Sequence, residues 1–133
     1  MRGNQLTNLL FSALLIAGTA RADTASDILD GYTAAGAGPF SAAAGAELWH
    51  QDHPSNDGSA RSCETCHSSD LHQRGKHAVT GKAIDPIAPS VNPERLTRRT
   101  QIEKWFRRNC KWTLGRECTA QEKGDLLAFL RTQ

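Results

Sequence analysis

Cys63-Glu64-Thr65-Cys66-His67 constrains this chain more than any other stretch. Two cysteines separated by two residues and followed at once by histidine read as a c-type haem attachment site. The two thiols can add to the two vinyl groups of haem as thioethers, and the adjacent imidazole then sits beneath the iron as its proximal ligand. A zinc site would want a second ligand pair at similar spacing, whereas seven residues separate Cys110 from Cys118. A thioredoxin-like pair would want a βαβ surrounding, which the Gly/Ala-rich helical flanks do not offer. One haem c, held through Cys63 and Cys66 with His67 on its iron, is the expected cofactor.

The first 22 of the 133 residues are expected to leave the protein. Arg2 supplies a positive charge, Leu9 to Ala17 is a short apolar run, and Ala20-Arg21-Ala22 offers small residues for cleavage before Asp23. This is the pattern of a secretory signal peptide. The run is too short to span a bilayer and no longer one follows, so no stable membrane insertion is expected after cleavage. Covalent haem attachment takes place outside the bacterial cytoplasm, which makes the periplasm the expected compartment and permits a disulfide. Without the leader, 133 residues less 22 leave 111, one monohaem domain over residues 23–133. The 16 basic residues less Arg2 and Arg21 then equal the 14 acidic ones. Within that balance the charge is lopsided: residues 23–70 hold eight acids and one base, Arg61, whereas residues 71–133 hold thirteen bases and six acids. Such a dipolar surface can steer a docking partner, although two ordinary solvated faces would look the same in sequence.

The mature chain reads as all-α, a small cytochrome c fold of four or five short helices. Asp23 to Ala35 forms a first helix, ended by Gly36-Ala37-Gly38-Pro39. Ser41 can cap a second, from Ala42 to about His50, in which Gly45 and Trp49 share a face. A glycine there lets another helix approach, and the indole fills the space beside it. Gln51 to Arg61 reads as a polar loop, and Ser68 to Asn92 as a long irregular segment that would wrap the haem. Pro93 is placed to open a helix from about Leu96 to Asn109, with Ile102, Trp105 and Phe106 as its core-facing stripe. Thr119 and Glu122 form a T-x-x-E capping box before a last helix whose buried side is Leu126, Leu127, Phe129 and Leu130. The first or second helix should cross the last, and no strand pattern is present.

What binds the far side of the iron is the open question. Electron-transfer cytochromes c commonly use methionine there, but the sole methionine, Met1, belongs to the leader. His72 and His77 follow His67 by only five and ten residues, and an extended five-residue segment spans roughly 17 Å. His50 and His53 belong to a polar loop, and lysines would first have to be desolvated and deprotonated. Asn109 lies at i+4 from Trp105 and i+7 from Ile102, a polar residue on the apolar face. By local pattern alone it reads as the residue that ends the helix. Its neighbour Cys110 and Cys118 are the two cysteines left once haem has taken Cys63 and Cys66, and in an oxidising compartment they should pair. The nine-residue ring so closed is worth about 2.5 kcal/mol and would pin the backbone beside Asn109.

Cys63 to His67, Thr80-Gly81-Lys82, Asp85-Pro86-Ile87-Ala88-Pro89-Ser90 and the run Trp105 to Cys118 together resemble the SHP-type oxygen-binding cytochromes c. The resemblance covers nearly all of the mature chain, and the Asn-Cys…Cys segment carries most of its specificity. It implies that Asn109 is the sixth ligand of the ferric iron and leaves on reduction, and that Cys110–Cys118 is the adjacent disulfide. Trp105, Phe106 and Trp112 then become candidate walls of the distal pocket. A neutral carboxamide oxygen is a hard, weak donor that holds Fe(III) better than Fe(II), so reduction should open a site for O₂, NO or CO. The family also implies a redox donor, a dihaem cytochrome c. Two rivals stay open: a bis-histidine electron carrier, and a haem enzyme acting on NO or peroxide, for which the sequence shows no committed acid–base pair. An electron-transfer or gas-binding role is expected ahead of a dedicated enzyme. Export argues against nucleic acid as the partner of Arg98, Arg99, Arg107 and Arg108.

Overall fold

The structure, a computed structural model, describes residues 23–133; the signal peptide expected at 1–22 lies outside the described residues. Five helices appear in chain order: α1 Thr24–Ala34, α2 Ala42–His50, α3 Glu64–His67, α4 Arg99–Leu114 and α5 Ala120–Leu130. Three begin at side-chain caps. Asp23 accepts the Ala25 amide, Ser41 accepts the Ala44 amide, and Thr119 and Glu122 cap each other's backbone N–H in a full capping box.

The crossing that organises the core is α2 on α5, with α1 against the other side of α5. Gly45 makes the approach possible, since a methyl there would collide with the Asp125 carbonyl and the Phe129 side chain. Trp49, one turn on, packs beside Phe129 with ring centres 6.1 Å apart. The buried side of α5 serves two clusters. Leu126, Phe129 and Leu130 join Trp49, Leu71, Ala88 and the Cys110–Cys118 pair, while Leu127 joins Ala25, Ile28 and Ile102.

Three expectations need correction. Two short antiparallel hairpins interrupt the segments read as irregular: β1 His53–Pro54 pairs with β2 Ala60–Arg61, and β3 Gly75–Lys76 pairs with β4 Ala83–Ile84. Strands of two residues are too short to leave an alternating pattern. Next, α4 begins at Arg99, because Leu96 takes a left-handed φ of 59° and Arg98 is extended, so the turn after Pro93 cannot run into the helix. Finally, α4 continues past Asn109 to Leu114 and stops at Gly115, left-handed at φ 72°. Asn109 does not end the helix.

Candidate haem-binding cleft

The attachment sequence forms a single helical turn. The His67 amide donates to the Cys63 carbonyl at 3.1 Å, and Ser68, at φ 70°, turns the chain away. Neighbours clamp this turn from several sides. Thr65 Oγ1 accepts the Ser62 amide at 2.9 Å, Glu64 meets His50 Nδ1 at 2.7 Å, and the Ala78 amide donates to Cys66 Sγ at 3.4 Å. Gly75 lies so close to the Cys66 carbonyl and His67 Cα that any side chain there would displace the β3–β4 hairpin. The long segment behind is anchored by buried Leu71, whose carbonyl accepts the Ile87 and Ala88 amides, each at 3.1 Å.

α3 and α4 both contribute to the lining of a cleft of about 830 Å³, within the range of cofactor sites. Cys63, Cys66 and His67 line it from the attachment turn, and Trp105, Phe106, Asn109 and Trp112 line it from α4. The helical spacing of the latter four puts them on one face of α4. The stripe expected to face the core lines the cleft at all three positions, with Ile102 buried where core and cleft meet and Trp105 43% exposed. The Asn109 carboxamide is exposed to the cleft and has no hydrogen-bond partner among the described residues. The next residue, Cys110, is buried and disulfide-bonded to Cys118, with Cα atoms 5.5 Å apart.

The chemistry of the donor set fits haem. Burial, with the Arg95 charge as a second cause, holds the His67 imidazole down at about 4, so it stands neutral and able to ligate near pH 7. Burial pushes the Cys63 thiol up to about 12. A redox-active pair works through accessible thiolate, which burial at Cys63 opposes, and no group of three His, Cys, Asp or Glu that could hold a metal ion occurs among the described residues. The indole N–H of Trp49, in a residue only 4% exposed that lines the cleft, finds no protein acceptor. A buried donor of this kind awaits an acceptor on whatever fills the space.

Two contributors were not singled out from sequence as cleft residues. Trp49 was read only as packing, yet its ring centre lies 5.4 Å from that of His67. Arg95 is fixed by the carbonyls of Pro86, 2.9 Å from Nε, and Asp85, 2.7 Å from Nη2, and lines the cleft. A Gly-x-x-x-Trp spacing could have pointed to the first; no local signal marks the second. Of the remaining histidines, His50 is paired with Glu64, His72 with Asp70, and His53, in β1, does not line the cleft. His77 lines the cleft, but its Nδ1 accepts the Val79 and Thr80 amides at 3.3 and 3.1 Å on the hairpin beside Cys66.

Comparison with known proteins gives a consistent picture. Residues 35–130 match the family model described as a domain of unknown function (DUF1924). The cytochrome c-type protein SHP of Cereibacter sphaeroides is 39% identical over 130 residues, which is 96% of this chain and 100% of that one. The structure of oxidized SHP, described as an oxygen binding cytochrome c, aligns with a TM-score of 0.74 at 40% identity, over 82% of this chain and 96% of that one. The crystal structure of oxidized cytochrome c'' from Methylophilus methylotrophus aligns at 0.73 and 30% identity, over 83% and 94%.

Proposed function

The chain belongs to the SHP-type cytochromes c, and from that premise we propose that it is a periplasmic monohaem protein that binds a diatomic gas when reduced. Bound haem c supplies a redox-active iron that takes one electron and accepts such a ligand. Cys63 and Cys66 would hold the group as thioethers, and the neutral His67 imidazole would give the proximal nitrogen. Asn109 would occupy the distal position in the oxidised protein and give it up in the reduced one to O₂, NO or CO, as its hard, neutral oxygen favours the ferric state. Trp105, Phe106 and Trp112 would wall that position and exclude water.

The observation that carries this reading is the unpartnered Asn109 carboxamide on the cleft face of α4, with the backbone braced at the following residue by Cys110–Cys118. An acidic redox donor, such as the dihaem cytochrome c expected from the family, has a matching surface. Arg98, Arg99, Lys104, Arg107 and Arg108 make no ion pair among the described residues, and Arg98 and Arg108 line the cleft.

Ferric and dithionite-reduced absorption spectra of wild type, Asn109→Ala and His77→Ala test the assignment. Asn109→Ala should lose the six-coordinate ferric spectrum, His77→Ala should keep it, and reduced wild type should be five-coordinate and bind CO. A reduced wild-type protein that stays six-coordinate and low-spin without added ligand, or a ferric spectrum altered only in His77→Ala, would leave a bis-histidine electron carrier in its place.

A further inference from the structure

Arg61, the one base among residues 23–70, has its guanidinium held three ways. Nη1 donates to the Trp112 carbonyl at 3.3 Å, Nη2 donates to Asp57 at 2.5 Å, and Cζ lies 4.5 Å from the centre of the Trp112 ring. The carbonyl it meets is one of the last four of α4, which have no donor within the helix, and a cation there also faces the negative helix end. Asp57 is itself fixed, accepting the Ser59 amide at 3.0 Å, the Ser59 hydroxyl at 2.6 Å and the Ser55 hydroxyl. The turn between β1 and β2 is thus folded around a carboxylate that takes one arm of Arg61, while the other arm and the planar face take Trp112.

Trp112 stands where two spaces meet. It lines the haem-binding cleft and also an outer recess of about 220 Å³ between the β1–β2 turn and the end of α4. Asp57, Arg61 and Lys111 line only the recess. We propose that Arg61 is a positioning residue that latches the Trp112 indole as the partition between recess and cleft, and so controls how freely an exogenous ligand reaches the distal side. The proposal rests on the gas-binding reading for what is meant by the distal side, but not on Asn109 being the ligand that leaves. With the latch removed, the indole has the recess to turn into and the distal space widens.

The test uses haem-loaded protein labelled with 5-fluorotryptophan, reduced and CO-bound so that the iron is diamagnetic, with Trp112→Phe to assign the resonance. Arg61→Gln should shift or broaden the Trp112 signal and leave those of Trp49 and Trp105 in place. It should also speed CO association roughly three- to tenfold, the scale of one partly desolvated cation–π contact. Arg61→Lys, which keeps the charge, should return both readouts toward wild type. Asp57→Asn loosens the latch from outside the cleft and should fall between, which keeps the test available if Arg61→Gln folds poorly. A Trp112 signal unmoved by both Arg61→Gln and Asp57→Asn, or CO rates unchanged in the variants that move it, overturns the proposal. The ferric and reduced spectra of wild type, Asn109→Ala and His77→Ala, which report the iron's ligand independently of these rates, separate this outcome from failure of the Asn109 assignment.

Discussion

Glu122 and Asn109 show how differently one chain treats two polar side chains. Glu122 accepts two bonds from Arg116, at 2.6 and 2.8 Å, and the Thr119 amide at 2.8 Å, and these hold its carboxyl down at about 2 against an ordinary 4.5. A depressed carboxylate stabilises the fold fully above its unfolded value, and that contribution fades as pH falls from about 4.5 through about 2. Glu122→Gln can still cap the Thr119 amide but loses the charge paired with half-exposed Arg116, so it should lower the thermal midpoint at pH 7 by the equivalent of about 0.5–1 kcal/mol, and the difference from wild type should shrink toward pH 2. Melting curves across that range check both sign and window. The Thr119-x-x-Glu122 box was readable because its partners are three residues apart. Arg61 and Arg95 were not readable in this way. Arg61 reaches Trp112 across 51 residues, and Arg95 bonds the backbone of Asp85 and Pro86, whose carbonyls carry no residue-specific mark.

Between elements, two glycines set the geometry, and only one was visible beforehand. Gly45 announced itself by sharing a helix face with Trp49, the mark of a close crossing. Gly75 carries no such mark within the run from Ser68 to Asn92, yet it is the point where the β3–β4 hairpin rests on the Cys66 carbonyl. The helical core was legible from caps and apolar spacing. The hairpins, the left-handed Leu96 and the cleft-facing side of α4 were not, since each is decided by contacts distant in sequence or by the space a cofactor needs. Gly45→Ala should cost about 1–3 kcal/mol or more by overpacking the α2–α5 crossing, and it leaves the attachment turn itself untouched. Gly75→Ala acts on the attachment turn itself, so the fraction of expressed protein that carries covalent haem should fall. Haem content per protein alongside melting temperature would distinguish the two effects; equal haem content in both variants would argue against the role given to Gly75.

At the scale of the whole molecule, acidic and basic residues balance after position 22 but are unevenly distributed, and five cations without an ion pair among the described residues, Arg98, Arg99, Lys104, Arg107 and Arg108, lie on and beside α4. Reduction by an acidic donor protein should slow steeply with added salt, because exposed charges farther apart than about 8 Å are screened near physiological ionic strength. Arg107→Glu with Arg108→Glu should flatten that dependence in stopped-flow measurements, while reduction by an uncharged small-molecule donor changes far less. The placement of α5 has an effect on timing. Since α1 and α2 both rest on α5, and both apolar clusters include its side chains, neither cluster closes until α5 has docked. An exported chain in which α5 has yet to dock should therefore keep its two attachment thiols within reach, so that maturation can precede burial.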